Sequence, residues 1–398
     1  MKRSRICIIA HNAYGALTGG GQGHIGGAER QTSLMAKWLA AAGHETSLIT
    51  WGTREEDGQR VAGVTVRTVG DASVGLPVMR FFHPRLTGLY AAMQRADAEV
   101  YYHNAAEAIT GLAASWCHRH GRKFVYSAAA ELACDIRLPL LNKTYERVLY
   151  RYGVRHADLR VVQTGAQQRL LQQGWDLSSV VLPMPCPGPE DVNCPVPEPP
   201  QPSRVIWVGR VDENKRLNWF LDIAAKLPSV NFEIAAAANT SIALTRELQQ
   251  RASALPNVRW CGAVPRERMP EFYQGASCLC CTSMHEGFPN IFIEAWSHGV
   301  PVVTTFDPDG LVTRLRLGAA ATDVSGLAQA ISNLASDAEG WRACSRRSRE
   351  YYFANHRVDV AMERFQIEFN RLLVKEGAGP SSVKMASPDF SSSSSTAR

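Results

Sequence analysis

Nowhere in these 398 residues do about 18 apolar positions run together, so no segment reads as a membrane span. The opening MKRSRICIIAHNAYG starts basic, but its apolar run is short and is broken by His11 and Asn12, which suits neither a signal peptide nor an anchor. Ten cysteines are scattered with no regular spacing, so they read as reduced core thiols of a cytoplasmic protein rather than a disulfide framework. Even SCLCCTS, Ser277 to Ser283, reads as strand packing, because cysteines alternating along a strand cannot converge on one ion. Extreme charge is also lacking. A formal charge of +6 gives a mildly basic surface that suits anionic ligands or an anionic membrane face and does not point to nucleic acid.

What is present is an ordinary globular mixture, 45% hydrophobic and 20% charged, long enough for two domains. Strand-like runs alternate with helical periodicity throughout, the pattern of parallel sheets covered by helices. In the first half the runs are Arg5 to Ala10, Glu45 to Thr50, Val64 to Val69, Glu99 to Tyr102, Lys123 to Ser127, Leu159 to Gln163 and Val180 to Pro183. Between the first two, Leu34, Met35, Trp38, Leu39 and Ala42 share a helix face, with Gly43 placed to end it. Proline density from Pro183 to Pro202 forbids helix or central strand and marks a stiff connector. The alternation then restarts with runs at Arg204 to Val208, Asn231 to Ala236, Val258 to Trp260, Ser277 to Thr282 and Val300 to Thr305. Val358, Met362, Phe365, Phe369 and Leu372 repeat at four and three, giving a long amphipathic helix that must dock on something. The expected division is a first domain over 1–187, a linker over 188–203, a second domain over 204–350, a terminal helix over 351–376 and a disordered Ser-rich tail over 377–398.

TGGGQGHIGGAERQ, Thr18 to Gln31, contains a literal G-x-G-x-x-G at Gly21, Gly23 and Gly26. A dinucleotide site wants those glycines directly after the strand and an acidic residue ending the next one. Here eight residues intervene and the next strand ends Ile49, Thr50, Trp51, so the match reads as accidental. Gly26 and Gly27 instead open the first long helix, where small residues let the backbone approach a ligand across a cleft, and Gly19 to Gly23 read as a mobile acceptor-facing loop.

Two other stretches carry chemistry. In HEGFPNIFIEAWSHGVPVVTT, Pro289 and Asn290 start a helix and Gly299 ends it. Backbone N–H groups between Gly287 and Phe292 stand unpaired at that helix start, where the dipole also favours a phosphate. Glu286 lies before the helix and Glu294 in its first turns. Carboxylates beside an anion site fit the hydroxyls that flank a nucleotide-sugar's diphosphate, since each can accept two hydrogen bonds from a cis-diol. The second stretch, VIWVGRVDENKRLNWF, puts Gly209, Arg210 and Lys215 after a strand, at the edge where open parallel sheets hold ligands. Arginine offers a planar fork and lysine a point charge to a diphosphate leaving group.

From about Arg5 to Leu373 the chain resembles the retaining GT-B glycosyltransferases of family 4. Glu286 and Glu294 have the spacing of the family's E-x7-E, Arg210 and Lys215 match its G-R-x-x-x-x-K, and GGAERQ with LAAAGHETSLIT matches its N-terminal domain. The resemblance implies an α/β GT-B fold, two Rossmann-like domains whose parallel sheets face a central cleft, with the last helix crossing back to the first domain. It implies that Arg210 and Lys215 bind the donor diphosphate and assist its departure, that Glu294 holds the ribose, and that Glu286 with the Gly287, Phe288, Pro289 and Asn290 backbone holds the transferred sugar. Val264, in WCGAVP, falls in the base-contacting loop, while Gly26, Gly27, Glu29 and His103 belong to the acceptor side.

The implied activity is transfer from a UDP- or GDP-sugar to a glycan or lipid-linked acceptor, in polysaccharide or cell-surface glycan synthesis. No cofactor beyond the nucleotide-sugar, no metal and no nucleic acid enters this reading. Asp307-Pro308-Asp309 is a literal D-x-D of the kind that binds a metal in another glycosyltransferase fold, but reads more simply as a turn. VMRFFHPRL, Val78 to Leu86, and the basic NKTYERVLYRYGVRHADLR mix aromatic and basic residues suited either to packing or to peripheral contact with the inner face of a membrane. Two alternatives stay open: a nucleotide-sugar epimerase of the same architecture, and a non-catalytic nucleotide-sugar-binding relative. The second is kept open by SAAAELACD, which carries no histidine where many relatives have one.

Overall fold

The computed structural model describes residues 3–19, 26–71, 85–190, 197–237 and 241–374. Gly21 and Gly23, most of VMRFFHPRL and the Ser-rich tail lie outside the described residues.

One sheet in each half of the chain organises everything else. In the first, β1 (Arg5–Ile9), β2 (Glu45–Thr50), β3 (Arg60–Val61), β4 (Val64–Thr68), β5 (Val100–His103), β6 (Lys123–Ser127), β7 (Leu159–Val162) and β8 (Val180–Val181) run in the order β3-β4-β2-β1-β5-β6-β7-β8. Its pairs are parallel except β3 with β4. In the second, β9 (Arg204–Arg210), β10 (Asn231–Ala237), β11 (Val258–Gly262), β12 (Cys278–Cys281), β13 (Val302–Thr304) and β14 (Gly318–Ala320) run in the order β11-β10-β9-β12-β13-β14, all parallel. Strand order reverses once in each sheet, between β1 and β5 and between β9 and β12. At such a switch point the loops leave the carboxyl edge to opposite sides and open a crevice.

Both faces of each sheet are covered, as near-continuous apolar strands require. Ile6 and Ile8 of β1 join Met35 and Leu39 on one side, while Cys7 and Ile9 join Leu112 and Trp116 on the other. The cysteines of β12 divide in the same way. Cys278 and Cys280 pack with Phe220 and Leu221, and Cys281 packs with Ile293 and Trp296.

Prolines 183, 185, 187 and 189 withhold their N–H groups between β8 and β9, and the described residues there form no helix and a single bridge, Cys186 opposite Arg357. The helix Ala338–Asn355 stays with the second domain through Tyr352, and the chain then breaks at His356 before the helix Val358–Val374 begins. Cys186 ties the outgoing and returning segments together: its N–H donates to the His356 carbonyl at 2.9 Å and its carbonyl accepts the Tyr352 hydroxyl at 2.9 Å. His356 Nδ1 donates to the Met184 carbonyl at 2.9 Å. The last helix docks on the first domain, with Met362, Phe365 and Phe369 buried among Ile6, Met35 and Tyr102. Trp38 Nε1 fixes its start by donating to Asp359 at 2.9 Å.

A cleft closed by two loops of the second domain

β9 and β12 are neighbours, so the loops that follow Arg210 and Cys281 leave the same edge at the switch point. Asp212 accepts the Lys215 N–H at 3.0 Å and closes a turn over Glu213–Lys215. Arg216 next adopts a left-handed backbone with φ 44°. Its guanidinium lies on the Trp219 ring and donates to the Thr282 and Ser283 carbonyls at 2.7 and 3.2 Å. Asn214 completes the join, donating from Nδ2 to the His285 carbonyl and accepting the His285 N–H at Oδ1, both at 3.0 Å. These bonds set Lys215 against Glu286, where Nζ donates to Oε1 with both side chains largely buried. Gly209 is half-buried, and Arg210 is exposed with no side-chain hydrogen bond or ion pair among the described residues.

Glu294 sits in the helix Asn290–Ser297, whose first cap is Pro289. Its carboxylate accepts from Arg266 Nη1 at 2.7 Å and from the Tyr273 hydroxyl at 2.8 Å. Burial raises the Tyr273 hydroxyl well above its ordinary value and the Glu294 charge adds to the effect. Burial pulls the Arg266 guanidinium down, but Glu294 outweighs it and the net shift is upward. Arg30, from the first domain, is held low by desolvation and then by Arg266. No motif singled out Arg266, Tyr273 or Arg30. The one available signal was position, since Arg266 stands two residues past Val264, which is half-buried against the same core as Phe288.

Close backbone approach joins this site to the first domain. A Cβ on Gly287 would stand 2.3 Å from the Ala129 carbonyl oxygen, and one on Gly27 would stand 2.4 Å from Asn290 Nδ2. Gln31 Nε2 donates to Asn290 Oδ1 at 2.5 Å. Gly26 caps the helix Gly27–Ala41 in extended backbone, and a Cβ there would meet Glu29 Oε2 at 2.6 Å. Gly26, Gly27 and Glu29 therefore lie opposite the 286–290 loop. His103, buried at the end of β5 and donating from Nδ1 to the Ile9 carbonyl at 2.9 Å, lines a cavity of about 510 Å³ in the first domain that Glu29 also lines.

Two parallel-sheet α/β domains facing one another across a cleft, with the last helix returned to the first, define the GT-B architecture. A family model described as glycosyl transferases group 1 matches residues 202–337, and one described as a glycosyl transferase 4-like domain matches residues 26–186. The chain belongs to these GT4-like glycosyltransferases. Comparison with curated protein sequences finds no match. Among solved structures it is similar to sucrose-phosphate synthase from Thermosynechococcus elongatus, with a TM-score of 0.73 and 16% identity over 94% of this chain and 100% of that one. A lipopolysaccharide outer core galactosyltransferase gives 0.62 and 15% over 93% and 99%. The catalytic domain of starch synthase IV from Arabidopsis thaliana, bound to ADP and acarbose, gives 0.65 and 10% over 94% and 99%. No helix among the described residues is long and apolar enough to cross a membrane.

Proposed function

We propose that this glycosyltransferase moves a sugar, with retention of configuration and without a metal, from a UDP- or GDP-sugar to a glycan or glycolipid acceptor in polysaccharide or cell-surface glycan synthesis. The observation that carries the reading is the Lys215–Glu286 pair, largely buried at the switch point of the second domain and beside the glycine that meets Ala129 of the first. In the donor complex, diphosphate oxygens take over Lys215, and the Arg210 fork, unpartnered among the described residues, joins them. Glu286, released, turns to the hydroxyls of the transferred sugar. Glu294 keeps lone pairs beyond those engaged by Arg266 and Tyr273, enough to accept from a ribose diol. The N–H groups at the start of the Asn290–Ser297 helix share the remaining phosphate charge.

As the donor bond breaks, negative charge grows on the nucleoside diphosphate, and the two cations stabilise it, Lys215 from a largely buried position. An acceptor hydroxyl entering on the face the leaving group vacates yields retention with no protein nucleophile. The ADP in the similar starch synthase supports a nucleotide-bearing donor. Exposed Ile136, Leu140, Tyr145 and Val148 lie near Arg137 and Lys143 in sequence, which supports peripheral contact with the anionic inner face of a membrane by a cytoplasmic protein.

Incubation with each UDP- and GDP-sugar in the presence of chelator tests the reading. Slow release of free sugar and nucleoside diphosphate from one donor is the expected result. An epimeric nucleotide-sugar would transfer the assignment to an epimerase, and binding with neither product would leave a non-catalytic binder.

A further inference from the structure

The first domain has a switch point of its own, between β1 and β5, and the 510 Å³ cavity opens there. Three side chains from those two strand ends face it: His11 is 8% exposed, His103 2% and Asn104 6%. Four of their polar atoms, His11 Nδ1, His103 Nε2 and both Oδ1 and Nδ2 of Asn104, are buried with no hydrogen-bond partner among the described residues. Unpaired buried polar atoms lower stability, and their clustering around a cavity at a ligand-binding position of the fold points to a ligand that pairs them.

Their chemistry is specific. His103 Nδ1 donates to the Ile9 carbonyl, which in the neutral imidazole leaves the Nε2 lone pair facing the cavity. Glu107 Oε1 lies 3.9 Å from that nitrogen, beyond a hydrogen bond, so each can accept from a different sugar hydroxyl. Burial, together with His103 and Arg85, holds the His11 imidazole far down and therefore neutral, with one donor and one acceptor. Asn104 brings both kinds of group. Around these side chains the lining, among the described residues, holds three carboxylates, Glu29, Glu107 and Glu146, and one guanidinium, Arg85. Two lining residues carry the cavity to the donor loops, because Ala129 meets Gly287 and Ala28 follows Gly27, which meets Asn290.

We propose that this cavity seats the acceptor as an uncharged, hydroxyl-rich sugar ring held by His11, His103 and Asn104, and that it rejects a phosphorylated sugar. Calling the ligand an acceptor rests on the glycosyl-transfer reading above. Each sugar hydroxyl both donates and accepts, which matches the mixed set of unpaired atoms, whereas a phosphate would meet a carboxylate excess.

The test is saturation-transfer NMR on the full chain, with methyl glycosides of glucose, galactose and mannose compared with glucose 6-phosphate and fructose 6-phosphate. At least one neutral glycoside binds and neither phosphate does. His103→Leu and Asn104→Ala each weaken that binding about tenfold, and His103→Gln, which keeps an acceptor, retains most of it. Glu107→Arg, at a half-exposed position, admits glucose 6-phosphate. Tighter binding of the phosphates by the unaltered protein, no binding by any neutral glycoside, or unchanged binding in both His103→Leu and Asn104→Ala overturns the proposal. UDP and GDP binding is read in the same samples. If it persists while the sugar pattern fails, this inference alone falls; if it is absent, the proposed function falls.

Discussion

Asp309 accepts the backbone N–H groups of Gly165 and Ala166, at 2.6 and 2.8 Å, from the other domain. A second-domain carboxylate thus caps the first-domain helix Gly165–Trp175, with Arg169 3.5 Å away. Asp307 is committed elsewhere, accepting the Val312 N–H at 2.7 Å. The two carboxylates of Asp307-Pro308-Asp309 therefore serve separate helix starts, one of them across the cleft. Asp309→Ala should cost about 1 kcal/mol, the usual worth of such a cap. It should also enlarge the radius of gyration by favouring an open cleft. Urea denaturation and small-angle scattering check this, and no change in either means the contact does not hold the domains together.

Gly287→Ala should act on closure rather than on folding. The added methyl would sit 2.3 Å from the Ala129 carbonyl oxygen, backbone that cannot swing aside, so the domains must separate. Thermal stability of the isolated fold should change little while donor turnover falls by about two orders of magnitude, the scale of an ångström-level misplacement. Normal turnover would show that chemistry does not need this approach.

Arg266→Met should leave Glu294 with a buried charge supported by Tyr273 alone. A stability loss of about 1–3 kcal/mol is expected from the lost charged hydrogen bond, with nucleoside diphosphate binding weakened about tenfold. Calorimetric titration and denaturation measure the two effects separately. Intact nucleotide affinity would remove Arg266 from the donor site.

Acid should destabilise the fold through its buried histidines. Burial holds His298 and His356 down to about 4, with Arg266 and Arg349 adding to the effect at His298. An unfolded histidine titrates near about 6.5. Because the folded value lies below the unfolded one, the unfolded chain takes up protons first as pH falls. Stability is full above about pH 6.5 and is lost progressively toward about pH 4. The midpoint of thermal unfolding should therefore be level between about pH 7 and 8 and fall below that window, with a shallower fall in His298→Gln. Identical slopes in the two proteins would contradict the assignment.

Much of the fold was legible because buried parallel strands announce themselves as short apolar runs. Glu45–Thr50 and Lys123–Ser127 match their runs residue for residue. Arg60–Val61 and Gly318–Ala320 were invisible, since two or three residues carry no periodicity. Loops after strands were legible as a site because glycine, lysine and glutamate stood at helix starts. What the residues could not reveal was pairing across distance. Lys215 and Glu286, given separate ligand partners on the sequence, bond to one another because Asn214 and Arg216 stitch their loops together. Arg266, Tyr273 and Asp309 gain their roles only when β-sheet order and domain closure bring them to Glu294 and Gly165.

The central claim is that the Lys215–Glu286 and Glu294 cluster binds a nucleotide-sugar, and thermal stabilisation by a panel of UDP- and GDP-sugars with chelator present measures it most directly. At least one donor should raise the unfolding midpoint, and Lys215→Ala or Glu294→Ala should abolish the rise. Stabilisation by NAD in place of the nucleotide-sugars, or an unchanged rise in both variants, would contradict the account.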